Sequence, residues 1–111
     1  MEEKEILTKL TELTKKREIS WYRHADYYET PFVNGNLIHF SRSSSDQEEP
    51  TIYILSFVNE QGVDYKYYYS FINDSEEYIL YTNLYEAILK IADIDFDSDI
   101  NQYFGSFFKE A

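Results

Sequence analysis

The stretch Thr51–Phe71, TIYILSFVNEQGVDYKYYYSF, carries most of the information about the fold. Two runs of β-branched, aliphatic and aromatic residues flank the turn-like NEQG, which reads as an antiparallel hairpin. Five rings fall within seven positions, from Tyr65 to Phe71. Pairing Val58 with Val63 sets Ser56 opposite Tyr65, Ile54 opposite Tyr67 and Ile52 opposite Tyr69, an almost wholly apolar face. The other face then pairs Phe57 with Asp64, Leu55 with Lys66 and Tyr53 with Tyr68, a mixed surface suited to water. The expectation is that Tyr65, Tyr67, Tyr69 and Phe71 point inward, while Tyr53, Phe57 and Tyr68 point outward. A register error would exchange partners across the hairpin but leave the alternation within each strand intact.

Upstream, YYETPFVNGNLIHFSR places Asn34-Gly35 between two strand-like runs. Both residues tolerate positive φ, as a type I′ hairpin requires, and that register sets Thr30 opposite His39. Pro31 cannot donate to a ladder and favours an edge or a bulge. A further strand is expected around EISWYR, and the polar SRSSSDQEEP reads as an exposed loop. Residues 2–16 carry Ile6, Leu7, Leu10 and Leu13 at helical spacing, with acids in the first turn and Lys15, Lys16 and Arg17 at the end. That order complements the helix dipole, and Glu5 with Lys9 and Glu12 with Lys16 form i,i+4 pairs.

Downstream, Leu80, Leu84, Ala87, Ile88 and Ile91 give a helix over about residues 75–92, with Asp74 and Glu77 as a capping-box variant. The acidic DIDFDSD reads as an interruption in which Asp97 caps a third helix over 98–109. That helix carries Ile100, Tyr103, Phe104, Phe107 and Phe108 as an apolar stripe, weakened by Gly105. The sum is one α+β domain over residues 1–111: an N-terminal helix, an antiparallel meander of about five strands, and two C-terminal helices packed on the sheet.

Charge excludes several functions. The net charge of −11 opposes binding to a phosphate backbone or an anionic membrane. Residues 1–42 balance seven acids against seven bases, so all the excess lies beyond them. Without cysteine there is no disulfide, thiolate nucleophile or Cys-based zinc site. The acidic N-terminus is unlike a signal peptide and no apolar run spans a bilayer, so a soluble cytoplasmic protein is expected.

No motif for chemistry emerges. Asp93, Asp95, Asp97 and Asp99 alternate like the ligands of an EF-hand, but Ser98 stands where glycine is needed and Phe104 where the closing glutamate belongs. No metal site follows. His24 and His39 have no triad or zinc spacing around them and read as strand-surface histidines. Three unclustered glycines offer no phosphate cradle, so no nucleotide or other cofactor is expected.

The order of a helix, ISWYR, YYET, NGNLIHFSR, YILSFVNEQG and YTNLYEAILKIA resembles short uncharacterised α+β proteins of bacteria and their mobile elements, over about residues 6–92. The shared placements of Trp, Tyr and Gly serve folding, so no catalytic residue follows from the resemblance. In physical type the chain is also similar to toxin-immunity proteins and phage-encoded inhibitors of bacterial defence. This implies a non-enzymatic inhibitor or antidote, in a bacterial or phage-infected cell, that occludes a basic surface on another protein, with DNA mimicry as one form.

The expected partner-binding rings are Tyr53, Phe57 and Tyr68. The expected acids are Glu76, Glu77 and Glu86 with Asp93, Asp95, Asp97 and Asp99. Two other classes remain open: a small-ligand binder lined by Trp21 and tyrosine hydroxyls between sheet and helices, and a self-associating structural protein such as a homodimer. The charge argument is tested by a gel shift at low salt, where duplex DNA is expected to stay unshifted; saturable binding would overturn it.

Overall fold

The computed structural model describes residues 1–43 and 51–108. Helix α1 (Glu3–Lys15) precedes β1 (Tyr22–Arg23), β2 (Tyr28–Pro31), a 3-10 turn (Val33–Gly35), β3 (Leu37–Ser43), β4 (Ile52–Val58), β5 (Asp64–Ser70) and α2 (Glu76–Phe108). The strands form one antiparallel sheet in the order β1-β2-β3-β4-β5. Leu7 and Leu10 of α1 share a buried cluster with Tyr81, Leu84 and Ile88 of α2 and with Ile38, Phe40 and Leu55 of the sheet, so both helices cover the same face. The α+β class and the five-stranded meander agree with the sequence expectation. The first three residues of the expected loop, 41–43, belong to β3; residues 44–50 of it lie outside the described residues.

Two C-terminal helices were expected and one of 33 residues is found. Aspartate and serine disfavour helix only mildly, by roughly 0.5 kcal/mol each, and no proline or glycine stands between Glu76 and Phe104 to break it. Asp97 therefore lies inside a helix rather than capping one. At the start of α2 the cap is Ser75, not Asp74: its Oγ accepts the Tyr78 N–H at 3.1 Å. Helix α1 closes in a Schellman turn, with Glu18 N–H on Leu13 O at 2.9 Å and Arg17 N–H on Thr14 O at 3.1 Å. Arg17 takes the left-handed position usually held by glycine, at φ 58.

The inward face of the sheet is the reverse of that expected. Tyr53 is 2% exposed and Phe57 7%, whereas Tyr67 and Tyr69 are 60% and 57% exposed. Taken alone, the β4–β5 hairpin has rings and aliphatics on both faces. β3 breaks the tie, since Ile38 and Phe40 alternate with His39, Ser41 and Ser43. Register pairs Ile38 with Phe57 and Phe40 with Leu55, so these side chains share one face and go inward together. Ile54 and Ser41 are paired on the other face.

Two bulges complete the correction. Val58 pairs with Asp64 but Phe57 pairs with Lys66, leaving Tyr65 unpaired and turned toward Phe57, with ring centroids 6.5 Å apart. In the turn before it, Gly62 at φ 80 supplies the left-handed residue of a three-residue loop. In the first hairpin, Asn34 and Gly35 both have positive φ as expected. However, Phe32 is an extra residue between Pro31, paired with Leu37, and the Val33–Asn36 turn. Thr30 consequently opposes Ile38, and His39 opposes Glu29. Pro31 sits beyond the reach of the two-residue β1, where its missing donor costs no ladder bond.

The core centres on three nearly parallel rings. Phe40 and Tyr53 are 5.9 Å apart, Tyr53 and Tyr81 5.7 Å, and Phe40 and Tyr81 6.3 Å. Tyr81 Oη donates to Glu3 at 2.7 Å, and the Tyr53 hydroxyl lies 3.1 Å from that of Thr82. Tyr53→Ala is expected to cost about 3–5 kcal/mol and Tyr67→Ala under about 1 kcal/mol in denaturant melts of the monomer; equal losses would contradict this burial pattern. Burial, and then the bond to Glu3, pushes the Tyr81 hydroxyl well above its ordinary value near 10. A raised folded pKa contributes stability that is intact below about pH 10 and lost as pH climbs past it. Stability of the wild type should fall more steeply above pH 10 than that of Tyr81→Phe; parallel curves would remove Tyr81 as the cause.

Candidate functional site

The sheet face turned away from the helices carries the largest set of exposed rings on the strands. Side chains two apart on β5 point to the same side. Tyr67 and Tyr69 stack at 6.3 Å, and Tyr69 and Phe71 at 6.1 Å with planes 6° apart. Ile52 and Ile54 of β4 lie on this side, with Ile54 directly opposite Tyr69. Toward β1 the face turns polar. His39 Nε2 lies 2.9 Å from one oxygen of Glu29, and His24 Nε2 3.4 Å from the other. The Tyr27 ring packs against both imidazoles, at 4.6 Å from His24 and 4.4 Å from His39. The shared carboxylate was not legible in the sequence, because the expected register set Thr30 opposite His39.

The rings expected to meet a partner are thus mostly unavailable. Tyr53 and Phe57 form the core, and Tyr68 is half-buried, edge-on to Phe57 at 6.5 Å with Lys66 Nζ 5.1 Å above its ring. A second exposed apolar surface lies on the last half of α2. Phe96, Ile100, Tyr103, Phe104 and Phe107 are all exposed, Phe96 at 63%. Residues 93–108 form a helical arm of 16 residues, about 24 Å long.

The expected acids do not gather into one patch. Glu76 and Glu77 lie at Lys4 near the start of α1; the hydrogen bond between Lys4 and Glu76 holds the ammonium above and the carboxylate below their ordinary values. Asp95 pairs with Arg17 at 3.2 Å, where the arm leaves the domain. Glu86, Asp93, Asp97 and Asp99 are exposed. Alternate residues on a helix lie about 200° apart, so the four aspartates split into two i,i+4 pairs, Asp93 with Asp97 and Asp95 with Asp99, on opposite sides of α2 instead of converging. Among the described residues no group of three or more acids and histidines is placed to hold a metal ion, and no helix is long and apolar enough to cross a membrane.

One cleft lies between helices and sheet. It encloses about 340 Å3 beside the end of α1, with Trp21, Tyr28, Arg17 and Arg23 on its walls and Ile88 and Leu89 on the α2 side. Trp21 is fixed there by donating Nε1–H to Thr14 Oγ1 at 2.9 Å, while the Thr14 hydroxyl donates to Leu10 O at 2.7 Å. No protein-family model, curated protein or solved structure matches this chain.

Proposed function

We propose that the protein acts by binding other proteins, as a non-enzymatic acidic module of the inhibitor or antidote type that covers a basic surface on its target. The observation that carries this reading is the exposed aromatic face of Tyr67, Tyr69 and Phe71 on a chain of net charge −11. Contiguous exposed rings of this kind mark interaction surfaces, and tyrosine gives contact area at low entropic cost. The negative charge accelerates encounter with a basic target and rejects acidic ones. Glu86, Asp93 and Asp97 remain accessible for that role.

A second reading rests on the Trp21 cleft, whose indole ring, with Arg17, Arg23, Asp93 and Asp95 on the walls, suits a small aromatic ligand with polar groups. Trp21 is the only tryptophan, so its fluorescence reports occupancy directly.

The test is capture of a target from bacterial extract, identification by mass spectrometry, and measurement of its binding kinetics. Higher salt and Asp93→Asn/Asp97→Asn should slow association several-fold, while Tyr67→Ser/Tyr69→Ser should speed dissociation by roughly 10-fold or more. Association indifferent to salt, with dissociation indifferent to the two tyrosines, rejects the reading. A ligand that changes Trp21 emission with saturation would move the assignment to the cleft.

A further inference from the structure

The geometry points to a second copy of this chain as the occupant of the outer sheet face, with the helical arms exchanged between the two copies. The inference rests on the protein-binding reading above in taking the outer face as a contact surface, and goes beyond it: in the free protein a second copy covers that face, and a basic target must displace it.

The first observation is the phase of α2. Its sheet-facing line runs through Tyr78, edge-on to Tyr53 at 5.1 Å, then Thr82 beside the Tyr53 hydroxyl, Tyr85 at 6.5 Å from Phe40, and Leu89 in the Trp21 cleft. Steps of three and four residues keep one side of a helix in view. Continued at those steps, the line passes Ala92 and reaches Phe96, Ile100, Tyr103 and Phe107. The arm therefore goes on presenting rings toward the sheet layer after its own sheet has ended.

The second is where the arm leaves. Contacts of α2 move from β4 at Tyr78, through β3 at Tyr85, to Tyr28 of β2 and Trp21 beside Ile88. The helix crosses the sheet toward its short β1 edge and exits there. An arm about 24 Å long spans the roughly 19 Å between the first and last of five strands spaced about 4.8 Å apart.

The third is the match of two uncovered surfaces. A two-fold axis in the plane of the sheet, perpendicular to the arms, turns the second copy over and brings the two β1 edges together. Each arm then lies against the partner's outer face, and each sheet keeps its own helices on the opposite side. The arrangement closes as a dimer and leaves no surface to propagate a filament. Ten half-exposed apolar side chains per copy, five on the arm and five on the face, would remove on the order of 1,000 Å2 per chain, roughly 2,000 Å2 in all. That lies within the range of stable interfaces. It also accounts for a 16-residue helix with four aspartates, two serines and a glycine, which would be marginal without packing.

Two chains of charge −11 repel, so salt should tighten this dimer, opposite to its effect on a basic target. Sedimentation equilibrium of the full chain at micromolar concentration should give a dimer that strengthens with salt. Tyr103→Ser/Phe107→Ser on the arm and Tyr67→Ser/Tyr69→Ser on the face should each raise the dissociation constant about 100-fold. Because the chain has no cysteine, Ser106→Cys and Ser41→Cys chains can be mixed and joined by a short bismaleimide. The arm-to-face link between different chains is expected. A monomeric wild type, or a dimer insensitive to the arm variant and lacking that link, overturns the exchange. Either result leaves the binding-module reading to its own test, the kinetics of target release from the face variant.

Discussion

The stack of Phe40, Tyr53 and Tyr81 joins the central strands to α2, and the remaining packing is arranged around it. These three large rings lie within 5.7 to 6.3 Å of one another and are all but fully buried, so the stack removes a large apolar area from water. Two of them carry hydroxyls, which are costly to bury without partners. Glu3 of α1 accepts from Tyr81, and Thr82 of α2 lies beside the Tyr53 oxygen. The polar needs of the stack thus position both helices, and α1 is held against α2 by the same contact that satisfies the core.

Committing Tyr53, Leu55 and Phe57 to this core has a direct consequence on the other side of the sheet. Side chains alternate, so Ile52, Ile54, Tyr67 and Tyr69 must face away. Both α-helices among the described residues go to one face. The outer rings are therefore left over by geometry, on a strand whose charged Asp64 and Lys66 and bulged Tyr65 discourage edge pairing. The same reasoning applies to α2, whose first half is held by the core and whose second half carries its apolar line past the sheet.

Charge follows a different logic from packing. The aspartates of residues 93–99 split between two opposite sides of the helix, and Arg17 pairs with Asp95. A strained left-handed Arg17 at the end of α1 places its guanidinium at the point where the arm departs. Excess charge on this protein acts through its total field and its sign rather than through a constructed anionic pocket.

The sequence by itself determined the α+β class, the five-strand meander, α1, the positive-φ turn at Asn34-Gly35, the turn at NEQG, and the sign of the charge, because these depend on local periodicity and composition. It also held the continuity of α2: Phe96 bridges the line from Leu89 to Ile100, though the aspartates around it read as a break. Only the tertiary structure decided which sheet face is buried. β4 is apolar on both sides, and the choice belongs to Ile38 and Phe40 on the neighbouring strand, which long-range pairing sets opposite Phe57 and Leu55. The candidate site shared that fate. Its rings could not be named from the sequence, since exposure on a two-sided apolar hairpin is set by whichever face the helices cover, and the acids named there do not gather on it.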